Sequence, residues 1–156
     1  MSPLQDPQIT TRGAVPTAVV SGSTSFDALA GFYDRSFGAV AGAIARQGLA
    51  PAGPAFGFYL RPPSDTVDLE VGFPTSSGVA DDGEVRASQL PAGEVATAIH
   101  AGSYDELSQS WQALADWIVQ QGRQPGQQMW EVYLTEPTAG GDASAMRTEL
   151  SWLLAD

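Results

Sequence analysis

The residue with the most chemical content is Glu131, a carboxylate set inside an otherwise apolar and aromatic run, WEVYL at 130–134. Tyr133 alternates with it, and Tyr59 stands in a matching run, FGFYL at 56–60. On the two-residue period of a strand, Glu131 and Tyr133 share one face, while Trp130, Val132 and Leu134 take the other. Glutamate is a poor strand former, so its presence there needs a reason. The plain alternative is that this face is the solvated side of a sheet, which is the commoner arrangement. An aromatic and acidic face lacking lysine, threonine and arginine weighs against that. Glu149, in TEL at 148–150, is expected on the same face if the last strand pairs in the inferred register. Removing a carboxylate from water costs several kcal/mol even after relaxation, so a buried one takes up a proton or awaits a counter-ion. Tyrosine and tryptophan faces each add about 0.5–2 kcal/mol of attraction for a cation. Flat rings suit delocalised organic cations better than small metal ions. One or two carboxylates without an oxygen cage make a poor metal site, so neither a metal nor a cofactor is expected.

Other chemistries are harder to build from this composition. The chain has no cysteine, which removes thiol nucleophiles, thiolate metal sites and redox pairs. All seven basic residues are arginines, which excludes a phosphate loop with its essential lysine and any Schiff-base lysine. Asparagine is also absent, and a GC-rich genome explains both gaps without selection at any site. The single histidine, His100, opens the run HAGSY at 100–104 and reads as a hydrogen-bonded structural group. No G-x-S-x-G elbow occurs, which argues against a serine hydrolase.

A chain of 156 residues with 43% apolar residues is one domain's worth, able to bury a core without disulfides. Its 18 acidic residues against 7 basic ones give a net charge of −11, so the average surface repels phosphate and direct nucleic-acid binding is not expected. The amino terminus, MSPLQDPQITTR, has acid and proline where a secretory signal has basic and then apolar residues, and no apolar run is long enough to span a bilayer. A cytoplasmic protein without membrane contact is the expectation.

These residues need a scaffold, and the sequence suggests a repeated one. Residues 47–60, QGLAPAGPAFGFYL, align without gaps on 121–134, QGRQPGQQMWEVYL. Gly57 of the first half then matches Glu131 of the second. Gly48 and Gly122 are placed to end helices in the left-handed conformation, with prolines following. Upstream, Leu107, Trp111, Leu114 and Ile118 form one helical stripe, with Ser103 and Glu106 as a capping box. Phe37, Val40 and Ile44 occupy the matching places in the first half, with Ser25 as its cap. Phe37 and Trp111 are equivalent positions, read as core residues that also wall a cavity. Strand patterns run over VPTAVVS, FGFYL, VDLEVGF, GEVATAIH, WEVYL and MRTELSWLL, with turns at RPPSDT and EPTAGGDASA. Each half is therefore strand, helix, strand, strand. Neither half has much core alone, so a single α+β domain over 1–156 is expected, with repeat one at about 10–74, a linker at about 75–90 and repeat two at about 91–156.

The ordered set HAGSY, LADWI, GRQPG, WEVYL and TEL, together with EVGFP at 70–74, resembles the GyrI-like family. That family is a small-molecule-binding domain, also used as the effector domain of AraC-type and MerR-type transcription regulators. The resemblance covers roughly residues 10–154. It implies a duplicated β-α-β-β fold with an antiparallel sheet, two main helices and a ligand cleft on a pseudo-twofold axis. It also implies that Glu131 meets cationic lipophilic ligands at the base of the cleft, with Tyr133 beside it and Glu149 as a further acid. Tyr59, Trp111 and Phe37 are then ligand-binding walls. Ser151, Trp152 and Leu153 stand where the family often has an aromatic and a proline, which leaves the lining of the last strand open. Fewer than ten residues precede the resemblance, so a stand-alone multidrug binder is expected. Two alternatives follow from family relatives. One is a hydrolase of cyclopropane-containing genotoxins, with Glu131 as general base and Tyr133 assisting. The other is an interaction protein that inhibits DNA gyrase by contact or forms a homodimer, with the small-residue face of Gly31, Gly38 and Gly42 against its partner. The plainer role for those glycines is close helix packing inside the fold.

Overall fold

The computed structural model describes residues 4–61, 66–76, 78–102, 106–134 and 146–155, apart from the side chain of Phe26. Eight strands and two helices follow in order: β1 (Leu4–Arg12), β2 (Val15–Thr24), α1 (Leu29–Arg46), β3 (Phe56–Tyr59), β4 (Val67–Pro74), β5 (Arg86–Leu90), β6 (Gly93–Ala101), α2 (Leu107–Gln120), β7 (Pro125–Tyr133) and β8 (Arg147–Leu154). All eight strands form one antiparallel sheet in the order β1-β6-β8-β7-β3-β4-β2-β5. The architecture is the α+β arrangement expected, with β2-α1-β3-β4 and β6-α2-β7-β8 as its two successive runs. β3 and β7 meet at the centre, where Gly57 lies opposite Glu131.

Both helices lie on one face of the sheet. Val40, Ala43 and Ile44 of α1 pack with Ala18 and Val20 of β2. Leu114 and Ile118 of α2 pack with Ala96, Ala98 and Leu150. Full burial of each large aliphatic side chain is worth about 1.5–3 kcal/mol, so these stripes fix the helices to the sheet. On the other face Phe56, Phe58 and Trp130 gather with Val19, Val95 and Leu90, and the Phe58 and Trp130 rings meet edge to face at 5.8 Å. The alternation in FGFYL and WEVYL thus divides two cores: one beneath the helices, one behind the sheet.

Both helices stop as their glycines dictate. Gly48 and Gly122 have φ of 72° and 77°. The amide of the residue after each glycine donates back to a helix carbonyl, Leu49 to Ile44 and Arg123 to Ile118. This closes the last turn in the Schellman manner. The helix starts differ from expectation. Ser25 makes no side-chain cap, because a 3-10 turn at Phe26–Ala28 precedes α1 and the Ser25 carbonyl accepts from the Ala28 amide. Glu106 is itself the cap position of α2, one turn later than a capping box from Ser103 requires, and Ser103 lies outside the described residues. The turn EPTAGGDASA and most of RPPSDT also lie outside them. Two strands carried no usable sequence pattern. β1 pairs with β6, and β5, within the stretch read as a linker, pairs with β2. Gly31 and Gly38 are exposed and a Cβ at Gly38 would meet nothing within 4 Å, so α1 does not use them for internal packing.

Candidate functional site

Strand register decides what lies under the gap between the helices. Across the six inner strands the helix-facing row reads Val20, Val71, Gly57, Glu131, Leu150 and Ala98. The next row toward the mouth includes Leu69, Tyr59, Met129, Trp152 and Ala96. Glu131 therefore rises from the centre of the sheet, and only 5% of it is exposed.

Two neighbours donate to this carboxylate. The Trp111 indole N–H reaches Oε1 at 2.8 Å from α2, and the Tyr133 hydroxyl reaches Oε2 at 2.9 Å along the same strand. Burial pushes the Glu131 carboxyl above its ordinary range, and the bonds from Trp111 and Tyr133 and attraction to His100 pull it partly back. Burial, and then the nearness of the Glu131 charge, hold the Tyr59 and Tyr133 hydroxyls well above the usual phenol range. Both phenols therefore stay protonated, and the Tyr133 hydroxyl can donate to the acid. None of the ion pairs among the described residues includes Glu131. The geometry is that of an acid held in place by neutral donors and not by an ion pair.

Above it opens a cleft of about 490 Å³, lined by Leu29, Tyr59, Ser108, Trp111, Gln112, Ala115, Met129, Glu131 and Trp152. Three of the residues expected from sequence, Glu131, Tyr59 and Trp111, come together there. Trp111 does more than supply a ring face, because its N–H holds the acid. Tyr133 stands behind the acid, edge-on to Phe37 at 6.2 Å, and Phe37 packs further back against Phe73 at 5.9 Å. Neither forms the open wall. Glu149 is misplaced by the inferred register: it lies opposite Val132, so it points to the far face of the sheet, where Arg12 pairs with it at 3.4 Å. The residue of β8 that reaches the cleft is Trp152. It meets Trp111 edge to face at 5.4 Å, and its N–H donates to the Gly126 carbonyl at 2.7 Å. Met129, Leu29 and Tyr33 were also missed. Tyr33 and Phe37, four residues apart on one helix, were the available signal for the last.

His100 is fully buried and its Nδ1 lies 2.5 Å from Ser110 Oγ, a bond that ties β6 to α2. A second concavity, about 700 Å³, lies between Leu60, Gly93, Gln128 and Leu153, with the exposed Arg123–Glu94 ion pair at its side. It is larger than the cleft, and the charged residues that line it, Glu94 and Arg123, already pair with each other. Among the described residues no group of three histidines or acids could hold a metal ion, and no helix is long and apolar enough to cross a membrane.

The fold has well-matched counterparts among solved structures. The EcmrR C-terminal domain superposes with a TM-score of 0.80 at 17% identity, covering 96% of this chain and 97% of that one. SAV2435 bound to tetraphenylphosphonium gives 0.70 at 14% identity, covering 97% and 94%. A hydrolase encoded by lin2189 from Listeria innocua gives 0.67 at 14% identity, covering 97% and 92%. Identities this low show the fold alone. The chain spans 57% of the EcmrR chain seen in a complex with DNA. No curated protein sequence matches the chain. A family model for the GyrI-like small-molecule-binding domain matches residues 5–152. With a sheet, helix pair and cleft of this form and a match over nearly its whole length, the chain belongs to the GyrI-like family.

Proposed function

We propose that this protein binds lipophilic organic cations in the cleft between α1 and α2, with Glu131 as charge partner. The observation that carries the reading is the buried carboxylate itself, which lines an aromatic cleft and forms no ion pair among the described residues. Leaving an acid in that state is unfavourable, and a guest of opposite charge relieves it. Trp111, Trp152 and Tyr59 offer ring surface, and Leu29 and Met129 offer apolar surface. Such walls constrain a guest's sign and bulk more than its hydrogen bonding, so binding is broad and of modest affinity. A neighbour of the same fold was solved with tetraphenylphosphonium, which makes that ion a suitable probe. Titration with it, followed by tryptophan emission, is expected to saturate for the wild-type protein and to weaken strongly for Glu131→Gln. Equal binding by the two would remove Glu131 as charge partner.

A second reading is favoured by the raised Glu131 carboxyl. A carboxylate made more basic by burial, with the Tyr133 hydroxyl beside it, is suited to take a proton from water as its oxygen bonds to a cyclopropane carbon; the strained C–C bond opens, and the released electron pair takes up the proton. Both oxygens already accept bonds from neutral donors, which suits a fixed charge better than a proton carrier. Incubation with an electrophilic cyclopropane compound separates the two. Catalytic formation of a product heavier by one water, lost in Glu131→Gln, would establish the hydrolase.

A further inference from the structure

On the strand beside Glu131 the sheet offers no side chain at Gly57, and the space above it is filled from α1. A Cβ built there would collide with the Tyr33 hydroxyl and lie 2.8 and 2.9 Å from Tyr33 ring atoms Cζ and Cε1. Gly57 is the strand partner of Glu131, so the Tyr33 hydroxyl sits at the foot of the acid. A 2.8 Å hydrogen bond to the hydroxyl of Tyr59, itself a cleft residue, holds it there. The ring is held by Phe37 at 5.6 Å and, edge-on, by Tyr133 at 5.9 Å. The cleft is lopsided as a result. α2 lines it with Ser108, Trp111, Gln112 and Ala115, whereas α1 lines it only with Leu29, one turn before Tyr33.

We infer that Tyr33, seated on Gly57, is a plug that closes the α1 side of the cleft and sets the upper size of the cation admitted. The inference rests on the proposed function and deepens it by assigning the residue that limits the guest's bulk. A close-packed aromatic group yields little to an oversized guest, so the limit is set by a ring whose own contacts fix it. Gly57 is what makes the seat possible, since any other residue there would lift the ring from the sheet. The plug is distinct from the charge: removing it leaves Glu131 and its Trp111 and Tyr133 donors in place.

The test compares two permanent cations of different bulk, tetraethylammonium and tetraphenylphosphonium, by calorimetric titration of the full chain. Tyr33→Ala is expected to shift the ratio of their dissociation constants by about tenfold or more in favour of the larger ion, the scale of a gained or lost packing contact in a hydrophobic pocket. Tyr33→Phe keeps the ring and is expected to hold the wild-type ratio. If Tyr33→Ala fails to fold, Tyr33→Leu carries the same expectation at smaller amplitude. A ratio unchanged in folded Tyr33→Ala or Tyr33→Leu overturns the plug. If the wild-type protein binds both ions, Glu131→Gln binds neither and the ratio does not move with residue 33, the plug alone fails. If the wild-type protein binds neither ion, the proposed function fails with it.

Discussion

Replacing Glu131 by glutamine should weaken cation binding and stabilise the empty protein together. The amide fits the site: its oxygen accepts from the Trp111 indole, and its NH₂ can donate to the Tyr133 hydroxyl, so both bonds at 2.8 and 2.9 Å keep a partner. What is lost is charge. A cation at about 4 Å from a carboxylate gains about 4 kcal/mol at the effective dielectric suited to protein sites. Desolvating the guest and the remaining attraction of the amide dipole and the rings reduce the difference. A net loss of about 1.5–3 kcal/mol remains, or about 10- to 150-fold in affinity. The stability effect has the opposite sign. Burial raises the Glu131 carboxyl above its unfolded value, so the folded chain holds that proton more tightly than the unfolded one. The resulting contribution is fully present below the unfolded value near 4.5 and is lost as pH rises through the raised folded value. As pH rises through that raised value the ionised acid therefore burdens the empty wild-type fold, and glutamine does not. Thermal melts from pH 4 to 8 should show Glu131→Gln gaining on wild type as pH rises, by about 2–4 °C for each kcal/mol relieved. Added tetraphenylphosphonium should raise the wild-type melting temperature and leave that of Glu131→Gln nearly unchanged. A variant that binds as well as wild type and melts no higher at pH 8 would show that Glu131 neither meets the guest's charge nor burdens the empty fold.

Two further perturbations probe the supports of the site. Trp111→Phe keeps a ring but removes the N–H from Oε1, and a hydrogen bond to a charged group is worth about 1.5–3 kcal/mol. Melting curves should show a clear loss at pH 7 that shrinks in the Glu131→Gln background, and equal losses in both backgrounds would contradict the pairing. Gly72→Ala places a Cβ against the carbonyl of Ala18 and 3.0 Å from the Val19 Cα, where backbone must move to admit it. A destabilisation of about 1–3 kcal/mol by urea unfolding is expected, and a neutral effect would show that β2 and β4 are less closely apposed.

The centre of the molecule was legible in the sequence because its signals are local. The stripe Leu114 and Ile118, the stop glycines at 48 and 122, and the alternation around Phe58 and Trp130 each follow from a period or a φ angle. Glu131 stood out because an acid interrupts an apolar strand. The edges were not legible. β1, LQDPQITTR, is interrupted between Gln5 and Gln8, with Asp6 at a φ of 53°, and β5, RASQL, is mostly exposed, so neither alternates cleanly. Glu149 was assigned to the wrong face because a one-residue difference in register exchanges the faces of a whole strand. Once β8 is placed with Trp152 opposite Met129, Trp152 takes the cleft and Glu149 goes to Arg12. Tyr33 shares a helix face with Phe37, four residues on, but its fit into the empty space at Gly57 is a contact between elements that no periodicity within α1 discloses.

A guest's positive charge that meets an ionised Glu131 sets the number of protons released when tetraphenylphosphonium binds. Calorimetry in buffers of different ionisation enthalpy reads it. Because burial raises the Glu131 carboxyl, binding near that raised value should expel a fraction of a proton and affinity should climb with pH to a plateau, while Glu131→Gln should show neither effect. Proton release that is absent from wild type, or equal in wild type and Glu131→Gln, contradicts the account.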